Sequence, residues 1–220
     1  MRFYLLSIIV ALSISWTPLT THANTVNVDG KFQVMVNHSH GLQMITIDGQ
    51  LLLKPKKMKR FIPLFADLDP KRETVVRFFD FIGGDIDSTQ ELMRILKEKI
   101  CPTAPGGQAQ APCLLTTYVP NGMLCASSCV LAFMQGSQRV ACEAGAFGFH
   151  ASQTKWGLVT RLDPAESAIG ILSSVGIAKE WLQSHSDMFR TASPTTLWPA
   201  NLEGSNILTS VDSKCELEGP

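Results

Sequence analysis

The stretch "NGMLCASSCVLAFMQGSQRVACEAGAFGFHAS", Asn121 to Ser152, gathers residue types that can do acyl-transfer chemistry. Cys125 and Cys129 bracket a Ser-Ser pair, and an isolated histidine, His150, follows at the end of what reads as a strand. A serine hydroxyl is a weak nucleophile until a base takes its proton, and imidazole is the commonest such base. The reaction also needs backbone N–H groups aimed at the oxyanion that develops. Ser127 falls at a helix start, where the amide of Ser128 has no intrahelical partner. Upstream, Gly83-Gly84 forms another strand-to-helix turn that can present an amide with no side chain in the way. Each feature also has an ordinary reading: a helix cap for Ser127, a plain turn for the glycines, a solvated strand end for His150.

The surrounding elements decide whether these residues can meet. Phe32–Val36 and Leu42–Ile47 alternate around a turn and predict a hairpin. Pro55–Asp67 has helical spacing at Met58, Phe61, Ile62 and Phe65. "TVVRFFDFI", Thr74–Ile82, is β-branched and aromatic with little alternation, as a strand buried on both faces should be. Asp85–Lys99 reads as a helix with acids at its N-terminal end and lysines at its C-terminal end, in accord with its dipole. A strand at Leu114–Val119, an apolar helix from Ser127 to about Met134, short strands at "QRVAC" and "AFGFH", and a helix over Pro164–Ser184 complete the pattern. The tail from Ser186 shows no period. Strand–helix alternation predicts an α/β fold with a mainly parallel sheet. Ligands of such sheets sit at the carboxyl ends of strands, where Gly83-Gly84 and Ser127 both fall.

Six cysteines suit an oxidising compartment. Cys101 and Cys113 bracket the Pro/Gly/Ala-rich "PTAPGGQAQAP" and predict a disulfide at the opposite sheet edge. Cys125 and Cys129 are close enough across an elbow for a direct bridge, which leaves Cys142 and Cys215 to pair by elimination. The histidines lack zinc-finger spacing, so no metal is expected. Nineteen basic residues offset nineteen acidic ones, which argues against nucleic acid as a partner. Residues 1–23 read as a signal peptide: Arg2, an uncharged run from Phe3 to Trp16, and "THA" before Asn24. The run is shorter than the roughly 20 residues a spanning helix needs. Residues 24–220 then form a single domain, periplasmic or secreted; an uncleaved membrane anchor is the alternative.

"FDFIGGDIDSTQELMRIL" followed by "MLCASSCVLAFMQGSQRVACEAGAFGFHAS" resembles the Clp-type proteolytic subunits of the Clp/crotonase superfamily, chiefly over Ile45 to His150. The resemblance implies stacked ββα units and a serine peptidase. Ser127 matches the nucleophile and His150 the general base, at a separation close to the family's. Gly84 and the Ser128 amide match the oxyanion donors. The proline of the family's Ser-Pro-Gly-Gly turn is replaced here by "FIGG". The aspartate that orients the histidine has no clean counterpart: Asp187 is the nearest candidate and Asp163 another. No cofactor is implied. The substrate is a peptide or unfolded polypeptide, a homo-oligomer is compatible, and an ATPase partner is not expected in a compartment without ATP. A Ser-Lys peptidase using Lys155 or Lys179 is the mechanistic rival, and a non-catalytic binding or assembly protein on the same fold is the functional one. Acyl-CoA chemistry is a third reading, disfavoured because CoA is cytosolic.

The export signal makes the first prediction. Edman sequencing of protein recovered from the periplasm should begin at Asn24; an intact Met1 in the membrane fraction would identify an anchor instead.

Overall fold

A computed structural model describes residues 24–39, 42–101, 113–151 and 163–218. Its first layer follows from simple alternation. β1 (Asn24–Val28) turns through Asp29 and Gly30, both at positive φ, into β2 (Phe32–Ser39). β3 (Leu42–Gly49) pairs antiparallel with β2, setting Val34 opposite Ile47 and Val36 opposite Ile45, all buried. The expected hairpin lies within β2–β3; β1 adds a strand that was not expected.

The helix expected over Pro55–Asp67 is instead two 3-10 segments, Pro55–Phe61 and Pro63–Phe65. Pro63 has no N–H to carry an α-helical ladder through that point, yet Met58, Phe61 and Phe65 still reach the core. β4 (Thr74–Phe79) then runs parallel to β3. α1 (Ile86–Ile100) begins where the Asp85 side chain accepts the Ser88 N–H at 2.8 Å, and it buries Leu92, Met93, Leu96 and Ile100. β5 (Leu115–Val119), β6 (Leu124–Ala126), α2 (Ser128–Phe133), β7 (Gln138–Cys142) and β8 (Ala146–Phe149) follow. The helix expected over Pro164–Ser184 is two, α3 (Pro164–Ser174) and α4 (Lys179–Ser184), separated at Gly176, whose φ of +98° no α-helix accommodates. The tail carries two three-residue strands, β9 (Thr195–Leu197) and β10 (Ser210–Asp212).

The main sheet has seven strands in the order β1-β2-β3-β4-β5-β7-β10, and every pairing from β3 onward is parallel. β6, β8 and β9 form a second, small sheet, with β6 and β8 parallel. This corrects the expectation that the Gly83-Gly84 turn and Ser127 leave strands of one sheet. A lone parallel bridge, Phe81 to Cys125, joins the two sheets at the point where both turns emerge.

Aromatic rings tie the layers together. Phe32 meets Phe81 at 5.8 Å between centroids, Phe81 stacks on Phe78, Phe78 leans on Phe133 of α2, and Phe133 meets Phe147 of β8 at 5.0 Å. Such pairs contribute about 0.5–1.5 kcal/mol each beyond the area they bury. The tail is held by Arg139 of β7, whose guanidinium donates to the carbonyls of Ile207, Asn206 and Gly136 at 2.9–3.2 Å.

All six cysteines are paired: Cys101 with Cys113, Cys125 with Cys129, and Cys142 with Cys215. Cys101 caps the C-terminal end of α1 and Cys113 precedes β5, so this bridge lies at the amino ends of the parallel strands, away from Ser127. Replacing both residues with serine should lower unfolding stability by about 3 kcal/mol on the loop-entropy estimate. Urea melts would measure it, and any chemistry at the opposite edge should be unchanged.

Candidate active site

The backbone at Ser127 is the outlier of the region. It has φ 59° and ψ −126°, a conformation that non-glycine residues rarely occupy. Three hydrogen bonds impose it. Ala126 N–H donates to Phe81 O at 3.0 Å, Ser127 N–H to Gly148 O at 2.9 Å, and Val130 N–H to Ser127 O at 3.0 Å. The Cys125–Cys129 disulfide closes the same elbow. Strain of this kind costs on the order of 1–3 kcal/mol and persists only where neighbours over-determine it. A serine serving simply as a helix cap would bond an amide of α2 through its hydroxyl, and Ser127 makes no such bond.

Gly83 and Gly84 face different neighbours. Leu51 bridges Gly84 in parallel, accepting from Asp85 N–H (2.9 Å) and donating to Gly83 O (2.8 Å). In that pattern the N–H and C=O of Gly84 itself point away from Leu51. A Cβ on Gly84 would meet Leu51 O at 2.0 Å. A Cβ on Gly83 would meet Ala126 O at 2.6 Å and both Ser127 Cβ and Ser128 N at 2.8 Å. The resemblance pointed to Gly84 as the amide donor, and the sequence to the Gly83-Gly84 pair for close approach; the approach that brings the two turns together belongs to Gly83.

His150 reaches the same place through β8. The register Ala126↔Gly148 sets Ser127 one residue, and His150 two, beyond the last β6–β8 pair. His150 Nδ1 lies 2.7 Å from the Ala151 carbonyl oxygen. A carbonyl only accepts, so in the neutral ring this bond places the proton on Nδ1 and leaves the lone pair on Nε2. Ser127, Ser128 and His150 line one cavity of about 60 Å³, whose other walls include Ile86, Leu131 and Phe189. Among the described residues no hydrogen bond links Ser127 Oγ to His150. A larger hollow of about 510 Å³ lies between α1 and α2 beside Cys101 and Cys113, lined by no serine or histidine.

The acids lie elsewhere. The Asp187 side chain is 99% exposed and sits 3.6 Å from Arg190 Nε. Asp163 accepts the Ala165 N–H at 2.9 Å to cap α3 and pairs with Arg190 at 3.0 Å. Neither is hydrogen-bonded to His150. Lys179 is exposed at the first turn of α4 and does not line the cavity; Lys155 lies outside the described residues. Among the described residues no three His, Cys, Asp or Glu side chains gather as metal ligands would.

No family model and no curated protein matches the chain. Solved structures do. An enoyl-CoA hydratase from Geobacillus kaustophilus aligns at TM-score 0.50 and 16% identity, over 90% of this chain and 73% of that one. A ClpP1 mutant from Listeria monocytogenes aligns at 0.48 and 10%, over 76% and 91%. A mutant of the 1510-N membrane-bound stomatin-specific protease aligns at 0.48 and 16%, over 76% and 77%. At 16% identity the likeness is one of architecture: the chain shares the fold of the enoyl-CoA hydratase.

Proposed function

We propose that this chain is an exported serine hydrolase acting on peptide bonds, with Ser127 as nucleophile and His150 as general base. The observation that carries the reading is the Ser127 elbow: a strained serine, not used as a cap, held against a Gly-Gly turn beside a histidine whose Nε2 is free of its proton. Ser127 Oγ adds to the scissile carbonyl carbon as its proton passes to His150 Nε2. The oxyanion faces the N–H groups of Gly84 and Ser128. Collapse expels the amine, which takes the proton from His150, and water repeats the sequence to release the acid and regenerate Ser127. The Ser127–His150 bond that the free site lacks is of the kind that tightens when substrate binds.

Ala151 O occupies the role that an aspartate holds in a complete triad, fixing the ring tautomer. Asp187 and Asp163, drawn to Arg190, would then be dispensable. The three disulfide pairs support an oxidising compartment. A binding module on the same fold is the second reading, favoured by the unlinked Ser127 and His150. Crotonase-type acyl-CoA chemistry would use the same backbone amides without needing the hydroxyl of Ser127.

Covalent labelling with a fluorophosphonate separates these readings. The wild type should label and Ser127→Ala should not. His150→Ala should label about 10²–10⁴-fold more slowly. Asp187→Asn and Lys179→Met should label at the wild-type rate. Loss of labelling in Lys179→Met with retention in His150→Ala would establish the Ser-Lys mechanism. A folded wild type, of measured oligomeric state, that neither labels nor cleaves a peptide library would establish the binding module.

A further inference from the structure

The two oxyanion donors are backbone groups at the N-terminal ends of two different helices. Gly84 precedes Asp85, the cap of α1, and Ser128 is the first residue of α2. Their spacing depends on what holds one helix start against the other. On the outer side, the turn before α1 is fastened to the segment after β3. Asp85 N–H and Gly83 O bond Leu51, and Ser88 Oγ bridges Leu53 O and Asp85 Oδ1. On the inner side, toward α2, a buried hydroxyl pair makes the link: Thr89 Oγ1 lies 2.9 Å from Ser128 Oγ.

The direction of that bond follows from counting protons. Thr89 Oγ1 is also 3.0 Å from the Asp85 carbonyl, which can only accept, so the single Thr89 hydroxyl proton goes there. Ser128 O–H must then donate to Thr89 Oγ1. The result is a directed chain, Ser128 Oγ–H to Thr89 Oγ1–H to Asp85 O, ending on the carbonyl of the residue that follows Gly84. Thr89 is 1% and Ser128 2% exposed, so neither can exchange its partner for bulk water without opening the helix interface.

We propose that Thr89 is a positioning residue of the oxyanion site, acting through the Ser128 hydroxyl to fix the Ser128 amide relative to that of Gly84. This inference rests on the serine hydrolase reading. Thr89 touches no reacting atom. Its hydroxyl ties the start of α2 to the start of α1, and displacement of a catalytic group by about 1 Å can cost on the order of 10²-fold in rate.

The test is the second-order rate of fluorophosphonate labelling across pH, with the melting temperature of every variant recorded. Thr89→Val keeps the shape and removes the hydroxyl; it should label about 10- to 100-fold more slowly. The apparent pKa of its pH profile should be unmoved, because His150 is untouched. Thr89→Ser restores the hydroxyl and should recover most of the rate. Ser128→Ala keeps the amide but breaks the link from the other end, so it should match Thr89→Val, and the double variant should be no slower than either single one. Ser128→Ala also carries the test if Thr89→Val does not fold. A wild type that labels, with Thr89→Val or Ser128→Ala labelling equally fast, overturns the inference whatever happens to the melting temperature. Additive losses in the double variant also overturn it. A folded wild type that does not label overturns the hydrolase reading and this inference with it.

Discussion

The hydrogen bond from Ser127 N–H to Gly148 O is the constraint on which the site depends. It is the last rung of the β6–β8 pairing, and it falls where the chain must leave the strand and enter α2. On the other flank of β6, Ala126 N–H binds Phe81 O. Three chain segments, each ending in a turn, are thus sewn together by backbone alone. Gly148 makes the approach possible, since a Cβ there would lie 2.7 Å from Ala126 Cβ. With both neighbours fixed, the positive φ of Ser127 is the one remaining way to start the helix. The strain is a consequence of the pairing, and it leaves the hydroxyl clear of the helix amides.

The two ends of the parallel strands differ. At the carboxyl end of β4 lies the Gly-Gly turn, and at the carboxyl ends of β6 and β8, in the small sheet, lie the serine elbow and His150. At the amino ends lie fastenings: the Cys101–Cys113 bridge, Thr116 donating to Glu73, and Ser137 Oγ donating to the carbonyls of Cys113 and Leu115. Cys125–Cys129 is the exception, a covalent fastening placed at the serine elbow. Both of its residues are fully buried, so it stiffens the elbow from beneath.

What was legible in the sequence was whatever local pattern determines. β2–β3 follow from alternation, β4 from its β-branched and aromatic run, α1 from the charges at its two ends, and the Ser127 turn from small residues between apolar runs. β1 is legible too, since Asp29-Gly30 between alternating runs is a hairpin signal. Pro63 should have broken the first helix. The second sheet was another matter. β6 is three residues long, and nothing within "LCA" specifies that it leaves β5's sheet; that is decided by Phe81, Ala146 and Phe147 meeting it from far along the chain. β9 and β10 are strands for the same reason, being extended only because β8 and β7 offer them an edge.

On the hydrolase reading, the third member of the triad was illegible for a deeper reason. A search among acidic residues assumes that the group orienting His150 has a side chain, and here the acceptor on Nδ1 is the Ala151 carbonyl, which any residue type could supply. The substitution is chemically uneven. A carbonyl fixes the tautomer as a carboxylate does, whereas an amide side chain presenting its NH₂ group would fix the wrong one, and exchanging acid for amide in a serine protease triad costs about 10⁴-fold for that reason. What a neutral carbonyl lacks is charge, so an imidazolium formed during the proposed acylation would be stabilised less than by an aspartate. On the hydrolase reading, the remaining stabilisation of the transition state must come from the oxyanion side, where a charge developing in a site partly shielded from water gains most from well-placed dipoles. Weak support behind the histidine and rigid seating of the backbone donors would then be two parts of one arrangement: on that reading, the less His150 is assisted, the more the reaction depends on how accurately α1 and α2 hold their first amides.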